Sequence, residues 1–87
     1  MIQHIDLGDN DFSRRKALKL LINERQISIG GNRKLKIYGK LDCTSGKRMK
    51  PLNRVFFIDR QDAINEGYRP CGYCMRDEYL KWKALNL

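Results

Sequence analysis

The chain has 87 residues, 18 of them Lys or Arg and 10 Asp or Glu, giving a net charge of +8. A length of this order makes one domain, and it buries only about 60–65% of the surface that the unfolded chain exposes, so the apolar core needs a staple. A membrane span needs about 20 consecutive apolar residues; the longest apolar-rich run near the start, ALKLLI, is short and broken by Lys19.

Residues 1–10, MIQHIDLGDN, have weak periodicity and are expected to form a flexible arm ahead of a single domain over 11–87. No signal-peptide pattern precedes them, so a cytoplasmic location is expected. From Asp11 the pattern turns helical. Asp11 or Ser13 can cap, and Phe12, Ala17, Leu18, Leu20, Leu21 and Ile22 supply a broad apolar face over a helix of about 13–24. Arg14, Arg15, Lys16 and Lys19 fall mostly on its other side, as a solvated face does.

In QISIGGNRKLKIYGKLDC, Ile27 and Ile29 alternate with polar residues, as do Leu35 and Ile37. Gly30-Gly31-Asn32 lies between the pairs and tolerates the positive φ of tight turns, which predicts a β-hairpin turning there. CTSGKRMKPLN reads as a loop. RVFFI then reads as a buried strand. Asp59 is placed to cap a short helix ending at Gly67, and Tyr68-Arg69-Pro70 is extended because a residue before proline avoids the α region. The last segment, about 72–84, is helical, with Met75, Tyr79, Trp82 and Leu85 on one stripe expected to pack into the core. The order implies a small α+β domain, a short and mostly antiparallel sheet with helices on one face.

The positive charge is concentrated. Residues Arg33 to Arg60 carry nine Lys or Arg and two Asp, and the rest of the chain is nearly neutral. Such asymmetry fits a polyanionic partner such as nucleic acid. Lys47, Arg48, Lys50, Arg54 and Arg69 are the candidate phosphate contacts. No membrane partner and no small-molecule substrate is evident.

Three cysteines are present, Cys43, Cys71 and Cys74. An odd count argues against a closed disulfide framework. Cys71 and Cys74 form a C-x-x-C at the start of a helix, where free N–H groups and Arg69 and Arg76 favour thiolate. Thioredoxin-like redox centres share that spacing but sit in a larger βαβ fold. The spacing therefore points to a metal, with Zn²⁺ the natural ion for thiolates, joining the Cys43 loop to the C-terminal helix. A tetrahedral site needs a fourth donor. Asp42, beside Cys43, is the first candidate; Asp77, His4 in the arm, and water are the others.

The stretch NRVFFIDRQDAINEGYRPCGYC resembles the metal-binding N-terminal domain of the Ada-type DNA repair methyltransferases. The shared pattern falls on Asp62, Ala63, Gly67, Tyr68, Arg69, Pro70, Cys71 and Cys74, and the likeness extends over about residues 33–80. It also resembles short stand-alone bacterial proteins sharing a YG-x-L-x-C-x-SGKRMK segment. The resemblance implies a four-cysteine zinc site, one cysteine of which accepts a methyl group from a DNA methylphosphotriester. The family's upstream pair is spaced C-x-x-x-C. Here, pairing Cys43 as the first member puts Lys47 at the second position, and pairing it as the second puts Gly39 at the first. The resemblance thus implies zinc and a DNA-facing basic surface more directly than methyl transfer, for which Cys43 would be the acceptor. A zinc-stabilised protein-interaction module is a further reading.

Overall fold

The computed structural model describes residues 1–43 and 48–85. Among them, β1 (Ile2–Gln3) leads into a 3₁₀ segment (His4–Leu7) and helix α1 (Asp11–Asn23). Strands β2 (Ile29–Asn32), β3 (Ile37–Lys40) and β4 (Arg54–Phe57) follow, then α2 (Arg60–Asn65), β5 (Arg69–Pro70) and α3 (Arg76–Leu85). The five strands form one sheet in the order β1-β4-β2-β3-β5. Every pairing is antiparallel except β3 with β5. This is the α+β class expected. No helix among the described residues is long and apolar enough to cross a membrane.

The alternation of side chains along a strand assigns the two faces. One face carries Ile29, Tyr38, Val55 and Phe57, which form the core with Ala63 of α2, Tyr68 and Met75. Phe57 and Tyr68 meet edge to face, with ring centroids 4.9 Å apart. On the other face Phe56, fully buried, lies against His4 and under the Arg54 guanidinium. RVFFI is a continuous apolar run because β4 is covered on both sides. Ile58, expected at its end, is exposed and lies outside the strand.

Helix α2 forms as its caps dictate. Asp59 Oδ1 accepts from the Asp62 N–H at 2.9 Å, and Asp62 Oδ2 accepts from the Ile58 N–H. At the other end Tyr68 N–H donates to Ala63 C=O and Gly67 N–H to Ile64 C=O, with Gly67 at φ +85°, the paired bonds of a Schellman stop. Helix α1 ends on the same two bonds, from Gln26 to Leu21 and from Arg25 to Ile22, but Arg25 occupies the left-handed position at φ +58°. Its N-cap is Asn10, whose Oδ1 accepts from Ser13 N–H, rather than Asp11 or Ser13. The broad apolar face expected of α1 does not enter the core: no α1 residue is buried, and Phe12 is 74% exposed.

The hairpin turns later than expected. Gly30, Gly31 and Asn32 belong to β2, and the chain reverses through Arg33–Lys36, where Asn32 Oδ1 accepts from Leu35 N–H and Lys36 takes φ +54°. Leu35 is consequently an exposed turn residue. Gly31 is in the strand for space: a Cβ there would lie 3.0 Å from Ile37 O and 3.1 Å from Phe57.

Residues 1–10, expected as a loose arm, contain a strand. Ile2 and Gln3 pair with Phe56 and Val55 and close that edge of β4. His4 follows, buried, its Nδ1 without a hydrogen-bond partner. Burial first, then Arg54 and Arg14, lower the His4 pKa below 6.5, with Asp11 opposing. A lowered histidine pKa means that the unfolded chain takes up the proton first as pH falls. His4 therefore contributes stability that is present above pH 6.5 and declines below it. Urea unfolding at pH 7.5 and pH 5 should show that decline, and His4→Phe should flatten it. Arg25→Gly should raise stability by about 1 kcal/mol in the same assay, because glycine meets no Cβ penalty in the left-handed region.

Candidate metal centre

Three segments converge at one end of β3. The first is β3 itself, where Gly39 faces the other two. The second is the β-turn after it, closed by the Cys43 N–H donating to Lys40 C=O at 3.1 Å, which carries Cys43 back under the strand. The third is the chain leaving β5. Its Cys71 N–H donates to Tyr38 C=O at 2.7 Å, so the parallel β3–β5 pairing sets the C-x-x-C alongside Gly39. Cys71 C=O then accepts from Met75 N–H, and Met75 C=O from Tyr79 N–H, which carries the turn into α3.

The result is a cluster in which the Sγ atoms of Cys43, Cys71 and Cys74 all lie within 4.8 Å of one another. Tetrahedral zinc with sulfur at about 2.3 Å sets its sulfurs about 3.8 Å apart, so the three thiols fit such an ion with small adjustments. Backbone groups support the sulfurs: Lys40 N–H donates to Cys74 Sγ at 3.3 Å and Tyr73 N–H to Cys71 Sγ at 3.4 Å. Burial works to raise the Cys71 pKa. The N–H groups of Cys74 and Tyr73 and the thiols of Cys74 and Cys43 outweigh it, so Cys71 is lowered. For Cys74, burial above all, then the Cys43 and Cys71 thiols, push the pKa up to about 12 against the pull of the Lys40 N–H.

Gly39 explains the arrangement. A Cβ built on it would lie 2.7 Å from Cys74 Sγ and 3.3 Å from Cys71 Cβ. Residue 39 is thus the backbone position pointing at the other two thiols from four residues before Cys43. Of the two pairings open in the sequence, this contact accords with Gly39 as the first position and Cys43 as the second; Lys47, the position the other pairing uses, lies outside the described residues. A match to the family model of the metal-binding domain of Ada spans residues 26–77, more than half the chain.

The chain belongs to the Ada metal-binding domain family. No curated protein and no solved structure matches the chain. Within the Ada family this chain offers three thiols at the site. Asp42, the first candidate for a fourth donor, is exposed on the turn, and its carboxylate is not among the donors gathered within 4.8 Å. Asp77 is exposed, and His4 is buried against Phe56 on the sheet.

The candidate phosphate-binding cations divide. Arg48 and Lys50 are exposed, on the chain that follows the Cys43 loop. Lys47 lies outside the described residues. Arg54 is half-buried, with its guanidinium 5.1 Å from the Phe56 ring, and burial lowers its pKa. Arg69 donates to Pro70 C=O and lies 5.2 Å from the Tyr79 ring and 5.6 Å from the Trp82 ring. The stripe expected in the core is therefore split. Met75 is buried, Tyr79 and Trp82 stack on each other half-buried beneath Arg69, and Leu85 is 86% exposed.

Sequence reasoning named the three cysteines and gave Gly39 as one of two positions for the absent partner, but not its contact with Cys74 and Cys71. The signal was present: glycine four residues before a cysteine, within a strand, in a chain that also holds a C-x-x-C. Gly39→Ala should lower metal affinity at least tenfold by equilibrium dialysis, because room for the Cβ is made by turning Cys74 Sγ out of the cluster. The fold should survive that change, since a cysteine rotamer relieves the contact.

Proposed function

We propose that this chain is a zinc-binding module that presents a cationic surface to nucleic acid, DNA in the first place. The observation that carries the reading is the convergence of Cys43, Cys71 and Cys74 on one point, in a family whose domain binds metal. Zinc is the ion of choice for such a donor set because it is borderline-soft, redox-inert and indifferent to d-electron geometry. The thiolates would hold it between the β3–β4 loop and the β5–α3 turn. The ion would supply the cross-link that a small core needs, with binding energy serving as folding energy.

The nucleic-acid part is supported by charge and exposure. Arg48 and Lys50 are exposed and follow the loop that Cys43 anchors, and Lys47 adds a third cation in sequence. Contacts of this kind bind phosphate without reading bases. Arg54 and Arg69, each laid over aromatic rings, are less available to a phosphate chain. Methyl transfer to Cys43 draws less support: the residue is 8% exposed, and glycine replaces the family's partner cysteine at position 39. Three thiolates on Zn²⁺ carry a net −1 where four carry −2, which leaves each sulfur less electron-rich.

Fluorescence anisotropy with a short duplex tests the DNA reading. Affinity should fall by roughly a hundredfold between 50 and 200 mM salt if about four phosphates are engaged. The Arg48→Ala, Lys50→Ala double variant should bind more weakly and reduce the logarithmic salt slope by about 2. Binding that is undetectable, or indifferent to salt, would overturn the DNA reading and favour an acidic protein partner.

A further inference from the structure

Two of the three clustered cysteines line a cavity. A space of about 270 Å³ lies against Cys43 and Cys71 and reaches Arg54. Gly30 and Gly39, opposite each other in the β2–β3 pairing, lie along its floor, with Leu35 and Met49 among its apolar walls. Gly30 leaves room for it, since a Cβ there would meet nothing closer than 3.8 Å, whereas the Cβ direction of Gly39 is taken by Cys74 Sγ at 2.7 Å.

Two features lie at the ends of this cavity. At the cysteine end, the described residues bring three thiols together where a tetrahedral ion takes four donors. Gly39, whose Cβ direction meets Cys74 Sγ, has no donor to give. At the other end Arg54 is half-buried over the Phe56 ring and forms no ion pair among the described residues, whose salt bridges are Arg14–Asp11 and Arg60–Glu78. A partly desolvated guanidinium without an anion is costly, and its planar fork suits a carboxylate. The volume equals that of about nine waters in the liquid, which limits an occupant to a small molecule.

We propose that the fourth coordination position is filled from this cavity by a small organic thiol bearing a carboxylate. Its sulfur replaces the thiolate that Gly39 lacks, and its carboxylate meets Arg54. The step is a ligand exchange without redox change: the incoming thiol loses its proton to solvent, a sulfur–metal bond forms and a metal-bound water leaves. Sulfur is the matching donor because the other three are thiolates, and softness governs metal-site preference. This inference rests on the metal reading proposed above.

The test uses the full chain loaded with cobalt(II), whose absorption reports the number of thiolates bound, with 3-mercaptopropionate as the probe. One equivalent should produce a saturable increase in sulfur-to-cobalt charge transfer. Arg54→Gln should weaken that binding about tenfold while leaving 2-mercaptoethanol, which has no carboxylate, unaffected. Gly30→Val should abolish the response to both thiols without loss of cobalt uptake, since its side chain enters the cavity.

A wild-type spectrum that the probe leaves unchanged would overturn the proposal, as would equal affinity in wild type, Arg54→Gln and Gly30→Val. So would a change of spectrum in Asp42→Asn before any thiol is added, because the fourth donor would then be that carboxylate. Failure of the wild type to take up cobalt or zinc at all would overturn the metal reading itself, and this proposal with it.

Discussion

The backbone of β3 at Gly39 is the constraint on which the site depends. Cys71 N–H bonds to the carbonyl of the preceding residue, Tyr38, at 2.7 Å, and Cys74 Sγ accepts from the N–H of the following one, Lys40, at 3.3 Å. The C-x-x-C therefore lies directly against the strand, at a distance only a residue without a side chain permits. The third sulfur arrives from the same strand by a tight turn. One short parallel pairing thus converts three cysteines spread over 32 positions of sequence into a cluster within 4.8 Å.

That geometry separates two roles that the family resemblance joined. A metal staple requires donors near one point, and three are gathered. A reactive thiolate requires exposure and high electron density on sulfur. The deeply buried Cys43, in a set of three thiolates, meets neither condition well. Beside the cluster lies a largely apolar space, lined by Cys43 and Cys71 and ending at Arg54, which forms no ion pair among the described residues.

The misplaced elements share a cause. Gly30-Gly31 reads locally as a turn because glycine accepts positive φ, yet here both stand in a strand, Gly31 because its neighbours need the volume. Local sequence cannot distinguish glycine needed for conformation from glycine needed for space. Helix α1 has an apolar periodicity, but periodicity does not say whether another element lies opposite it. The strand at Ile2–Gln3 is too short to carry an alternation, and its existence depends on the free edge of β4. The caps, by contrast, are local hydrogen bonds. Asp59 and Gly67 act where their residue types predict.

The sequence by itself determined the class of the domain, the short helix with its cap and stop, the buried strand at Val55–Phe57, the basic character, and the three cysteines as a set. Each of these follows from periodicity, local hydrogen bonding, composition or spacing. Only the tertiary structure decided which residue faces the missing donor, where the hairpin turns, which face of the sheet holds the core, and that Arg54 and the thiol cluster share one cavity. These depend on which strands lie side by side, and the β3–β5 pairing joins Tyr38 to Pro70 across a separation that local rules do not reach.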